Sequence, residues 1–184
     1  YAIKFFYFNS PVTNKVIYTC DSADIITHEL GHAILDAIRP DFWNAAAFEV
    51  GAFHESFGDM IAILTSLNYD LVLNKVLTVT GSNLRKENLV SDLAEQFGIS
   101  LNIGNALRDA YNSYSYVDPM TLPTSGNGLT REVHSFSEVF TGTFYELLAE
   151  FFELFGKNKA GLIRARDLSA DFLFNATKNT PANL

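Results

Sequence analysis

Two histidines four residues apart flank a glutamate in the run His28-Glu29-Leu30-Gly31-His32. On a helix, positions i and i+4 share a face, so both imidazoles can reach one ion. Glu29 then stands about 100° round the axis from His28, near enough to reach a water on that ion but angled away from ligation. The chemistry allowed is metal-assisted hydrolysis, with two nitrogen ligands and a carboxylate base beside them. The bland reading is a chance pair of helical histidines, yet it must place two of the chain's four histidines at this spacing around a glutamate. Gly31 is costly inside a helix and is expected where a ligand or another backbone comes close.

A catalytic zinc needs a third protein ligand and an open position for water. The segment Gly51-Ala52-Phe53-His54-Glu55-Ser56-Phe57-Gly58-Asp59 supplies Glu55 as that ligand. Asp59 shares its face by the i, i+4 rule and is expected to take the other ring proton of a ligating histidine, setting its tautomer. The alternative, a solvated acidic edge, fits poorly beside Val50, Phe53, Phe57, Met60, Ile61 and Ile63. A carboxylate buried among such neighbours needs a partner, and a metal is one. His54 is a rival ligand, turned about 100° away from Glu55.

These residues need elements to carry them. Aromatic and β-branched runs at Ala2–Phe8 and Val16–Cys20, separated by turn-forming residues, predict a strand pair. Asp21 or Ser22 can cap a helix over Ala23–Ile38 that Pro40 stops. A second helix is predicted over Gly51–Leu67, with shorter ones at Leu71–Thr80, Glu87–Phe97 and Leu101–Tyr111. The Ser-, Thr-, Gly- and Pro-rich stretch Asn112–Glu132 reads as a long surface loop of the kind that is usually functional. Helices over Ser135–Phe155 and Ala160–Thr177 complete a mainly α chain with a short amino-terminal hairpin or residual sheet. No repeat, low-complexity segment or linker divides it, so residues 1–184 are expected to form one domain.

The composition is globular, with 48% hydrophobic and 18% charged residues among 184. A formal charge of −8 argues against nucleic acid as a partner and favours cations near the surface. One cysteine, Cys20, excludes an internal disulfide and a cysteine-rich zinc module, and is expected to be a small buried hydrophobe. No apolar run reaches the ~18 residues of a membrane span. The chain opens at Tyr1 without a basic leader, as a processed chain or an excised fragment would.

Together these motifs resemble the catalytic helical domain of the thermolysin-like zinc metallopeptidases, the Glu-zincin group. Asp24 and Asp36, four residues before His28 and four after His32, match acidic positions of that family. Gly51–Asp59 resembles its Gly-Ala-x-Asn-Glu-x-x-x-Asp, with His54 where the family has Asn. Ala106-Leu107-Arg108 resembles the segment whose Arg holds a substrate carbonyl, and Val133-His134-Ser135 the one whose His stabilises the oxyanion. The resemblance spans roughly residues 16–150. It implies a zincin-like fold and a zinc endopeptidase with Glu29 and His134 catalytic, and His28, His32 and Glu55 on Zn2+. Asp59 and Asp36 would stand behind the ligands, and Arg108, Ile25 and Leu107 would contact a peptide or protein substrate with an apolar residue after the scissile bond. Val16 and Thr19 are further candidates for that pocket, and Glu132 for the acidic partner of His134. Ca2+, which the family also binds, is not supported, because Asp24 is the one calcium carboxylate readily found. Secretion is implied by the resemblance alone. Most of the family's amino-terminal sheet domain has no counterpart here, so a separate amino-terminal domain or pro-segment is an expected partner. A metal-binding or interaction domain with impaired catalysis is the alternative.

Overall fold

A computed structural model describes residues 2–102, 104 and 106–181. Among these residues six α-helices dominate: α1 (Ala23–Ile38), α2 (Phe48–Ser66), α3 (Asp70–Thr80), α4 (Glu95–Leu101), α5 (Val133–Leu154) and α6 (Lys159–Asn179). Two small antiparallel pairs accompany them: β1 (Tyr7–Asn9) with β2 (Val16–Tyr18), and β3 (Asp92–Leu93) with β4 (Arg108–Asp109). The fold is mainly α, as expected. No single helix among the described residues is long and apolar enough to cross a membrane.

Helix α2 is the axis of the molecule. It packs against α1 on one side and α5 on another, with α6 behind α5. A helix covered on several sides must be apolar nearly all round, and every residue from Ser56 to Leu64 is buried. Phe57, Ile63 and Leu35 meet Leu148, Phe152 and Leu162 in the same core. Burying each such side chain contributes about 1.5–3 kcal/mol, so the site on α1 and α2 stands on the most firmly packed part of the chain.

Two glycines set how closely α1 and α2 approach. A Cβ on Gly31 would stand 2.7 Å from the Cα of Gly58, and one on Gly58 would stand 2.6 Å from Nδ1 of His28. Backbone lies against backbone at Gly31, in keeping with its helix-interior cost. The clearance at Gly58 is the space that the His28 ring fills.

The helix starts differ from one another in chemistry. At α1, Ser22 occupies the N-cap position, yet its hydroxyl donates to Asp24 rather than capping the helix. The other oxygen of Asp24 accepts the Ala94 N–H at 2.6 Å, tying α1 to the start of α4. Glu132 caps α5 by accepting the Ser135 N–H at 3.0 Å, and Asn158 caps α6 through the Gly161 N–H.

Residues 87–110 depart most from expectation. Among the described residues, the helices predicted over Glu87–Phe97 and Leu101–Tyr111 give way to turns, the β3–β4 pair and the short α4, and residues 103 and 105 of the second lie outside them. Asn88 breaks the first, because its side-chain oxygen accepts the Val90 N–H and its amide donates to the Tyr145 hydroxyl. The second gives way to pairing of Leu93 with Arg108 and of Asp92 with Asp109. At the amino terminus the strand is shorter than Ala2–Phe8, with register Tyr7↔Tyr18, Phe8↔Ile17 and Asn9↔Val16. Cys20 is exposed, contrary to expectation. The strand ends at Tyr18, and the tight turn Thr19–Asp21 buries Thr19 instead, whose hydroxyl donates to the Phe6 carbonyl. The stretch Asn112–Glu132 is irregular apart from a single turn of 3-10 helix at Pro119–Thr121.

Candidate metal centre

His28 and His32, one turn apart on α1, point toward Glu55 on α2. Nε2 of His28 lies 3.4 Å from Oε2 of Glu55 and Nε2 of His32 lies 3.8 Å from it. One donor atom from each of the three falls within 4.8 Å of the others, so the group could hold a metal ion. Bonds of roughly 2.0–2.1 Å at tetrahedral angles place ligand atoms about 3.3 Å apart, close to the two separations found. Two imidazole nitrogens and one carboxylate oxygen make a donor set that suits divalent transition metals. His134 brings Nε2 to 3.3 Å from the same Glu55 oxygen but is not within reach of the whole group, so three donors and no fourth converge among the described residues.

The two histidines are held from behind by different means. Nδ1 of His28 meets Oδ1 of Asp59 at 2.8 Å. Asp59 is fully buried, and Arg108 grips both its oxygens, Nε to Oδ2 at 2.8 Å and Nη2 to Oδ1 at 2.6 Å. Nδ1 of His32 meets Nδ1 of His54 at 2.7 Å, and Nε2 of His54 meets Oδ1 of Asp36 at 3.0 Å. Asp36, expected directly behind a ligand, instead meets His54, which stands between it and His32. His54 is not a ligand of the group.

Electrostatics follow this asymmetry. Burial alone would lower the His28 pKa, but hydrogen bonds to Asp59 and Glu55 outweigh it and raise the value from 6.5 to about 9. His32, with burial and the charge of His28 acting together, is lowered to about 4. Burial would raise Glu55 and Asp59; the facing histidines hold Glu55 below its usual range, and Arg108 and His28 do the same for Asp59. A proton on His28 thus neutralises charge that a bound cation would otherwise neutralise.

The group opens into a cleft of about 400 Å³ lined by Glu29, Arg108 and His134 beside the three donors. Its apolar wall includes Ile25, Leu107, Leu93, Phe97 and Phe6, and Thr19 borders it. Val16, the other candidate for this wall, is exposed and away from it. Phe6 and Phe8 pack on Phe97, their centroids 6.2 and 5.4 Å from its ring, so the hairpin leans on α4 to form one side of the cleft. Glu132 holds Nδ1 of His134 at 2.6 Å, leaving Nε2 toward the cleft. Arg108 enters from β4, and its Nη1 makes no hydrogen bond among the described residues.

Residue types and spacing brought His28, Glu29, His32, Glu55 and Asp59 together, the resemblance added Ile25, Leu107, Arg108 and His134, and all of them line one cleft. Sequence reasoning missed the bridging position of His54, although its place beside Glu55 and opposite α1 was a signal. It also missed Gly58, whose lack of a side chain leaves space for the His28 ring. Glu138 on α5, pushed up to about 7 by burial against the opposing influence of Arg108, was not anticipated either. No family model matches the chain, and comparison with curated proteins and with solved structures likewise finds no match.

Proposed function

We propose that this chain is a zinc-dependent peptidase, on the strength of one observation: His28, His32 and Glu55 converge in an open cleft whose wall carries Glu29. Zinc held by these three would lower the pKa of a water to about 7 and polarise a carbonyl. Glu29 takes the proton from the attacking water and passes it to the leaving amine, a role that requires a carboxylate within reach of the ion but not on it. His134, whose Nδ1 proton is held by Glu132, donates from Nε2 as the imidazolium to the oxygen on which negative charge develops. Arg108 offers Nη1 to a backbone carbonyl while its other nitrogens hold Asp59. The apolar wall around Ile25 and Leu107 favours an apolar side chain after the scissile bond. An endopeptidase is the form we favour, and it should cut peptides with blocked amino termini.

A metal-holding domain without turnover is the second reading, favoured by the engagement of Arg108 with Asp59. Metal analysis and one substitution separate the two. Loaded chain should carry close to one zinc, and Glu29→Gln should keep that zinc while peptide cleavage falls by about 10²–10⁴-fold. Zinc without cleavage in the unsubstituted chain would favour the second reading. A chain that takes up no zinc would remove both.

A further inference from the structure

We propose that His54 and Asp36 act as a two-residue relay that sets the tautomer of His32, making His54 a positioning residue for the metal centre. The inference rests on the reading of His28, His32 and Glu55 as metal ligands and concerns a residue that reading leaves without a role.

Hydrogen-bonding capacity along the row leaves one neutral arrangement. An ionised carboxylate only accepts, so Asp36, 3.0 Å from Nε2 of His54, requires the His54 proton on that nitrogen. Nδ1 of neutral His54 is then a bare acceptor. It faces Nδ1 of His32 at 2.7 Å, and two lone pairs at that distance would repel, so His32 must carry its proton on Nδ1. The lone pair of Nε2 is left toward Glu55, where a metal ligand needs it. Reversing the order would put either a second cation beside the ion or a bare nitrogen against the Asp36 carboxylate. The rings are centred 4.9 Å apart at 28°, nearly coplanar and end to end, the arrangement an in-plane N–H···N bond requires. His54 is largely buried, with Trp43 edge-on to its ring at 6.2 Å.

Asp36 thus acts on His32 through an intervening imidazole, whereas Asp59 acts on His28 directly. Outer partners of this kind orient the ligand and raise its basicity, and removing one typically weakens metal binding by about 10–100-fold.

The test is the zinc dissociation constant of the intact chain, measured by competition with a chromophoric chelator. His54→Leu, which removes the acceptor, should weaken binding by about 10–100-fold. His54→Asn, whose side-chain oxygen can accept the His32 proton, should restore most of that loss. Asp36→Ala should weaken binding in the parent chain but add little to His54→Asn, because its influence passes through His54; independent effects would simply add. Imidazole nitrogen NMR of the zinc form should show His54 protonated on Nε2 and bare on Nδ1. The relay is overturned if His54→Leu binds zinc within twofold of the parent, or if Asp36→Ala and His54→Asn prove additive. Failure of the unsubstituted chain to bind zinc would instead overturn the metal reading, and the relay with it.

Discussion

The two histidines of the candidate metal group stand one turn apart on the same helix, and the protein supports them in opposite ways. Behind His28 stands a buried ionic unit, with Asp59 gripped on both oxygens by Arg108. Behind His32 stands a row of hydrogen bonds that ends at Asp36, whose side chain is 42% exposed. The difference follows from depth. A carboxylate in the core needs a cation beside it, whereas one at the surface has water and can be reached through a neutral intermediary. The His28 side should therefore carry stability as well as metal binding, and the His32 side mainly metal binding.

That contrast can be broken at its strongest point first. Asp59→Ala leaves the Arg108 charge buried and unpaired, and unfolding in urea should show a loss of about 3–5 kcal/mol. A loss below about 1 kcal/mol, the usual worth of an exposed pair, would mean that the two sides do not differ as described. Next in size is Gly58→Ala. Its Cβ would stand 2.6 Å from Nδ1 of His28, so the ring or the helix must move, with an overpacking cost of about 1–3 kcal/mol and weaker zinc binding measured by chelator competition. Normal affinity in that variant would show that the His28 ring does not depend on this clearance.

Gentler is the dependence of the chelator-treated chain on pH. His28, raised from 6.5 to about 9, contributes stability that is complete below pH 6.5 and lost as pH climbs toward 9. His32, lowered from 6.5 to about 4, contributes stability that is complete above pH 6.5 and lost as pH falls toward 4. The depressed Glu55 and Asp59 add to the loss on the acid side. Melting temperature should therefore peak near pH 6.5 and fall on both sides; a steady rise from pH 6.5 to 9 would contradict the His28 assignment. The smallest effect is expected from Asp36→Ala. At so exposed a site it should change the stability of the metal-free chain by less than about 1 kcal/mol, while its metal affinity falls. Equal losses of stability from Asp36→Ala and Asp59→Ala would erase the distinction between the two sides.

The residues that were legible in the sequence are those whose relations are local. His28 and His32, and Glu55 and Asp59, are each i, i+4 pairs, so helical geometry alone puts each pair on one face. Helix α1 runs over Ala23–Ile38 as its residues predict, and Gly31 marks the close approach its type implied. What failed lies between residues 87 and 110. There helical patterning was overruled by the Asn88 turn and by pairing of Leu93 with Arg108, fifteen residues apart. Strand partners at such separations leave no periodicity to detect. The same pairing carries Arg108 to Asp59, so its ionic contact could not be read from the predicted helix.

The sequence by itself determined the donor types, their spacing along each helix and the mainly helical class, because these follow from bond geometry and side-chain chemistry within a few turns of chain. Only the tertiary structure decided that His54 bridges to Asp36 instead of joining the metal group, that Arg108 holds Asp59, and that Cys20 faces solvent. Those outcomes depend on how closely and at what rotation α1, α2 and β4 meet. That is set by the packing of side chains far apart in the chain, with Gly31 and Gly58 providing the clearance.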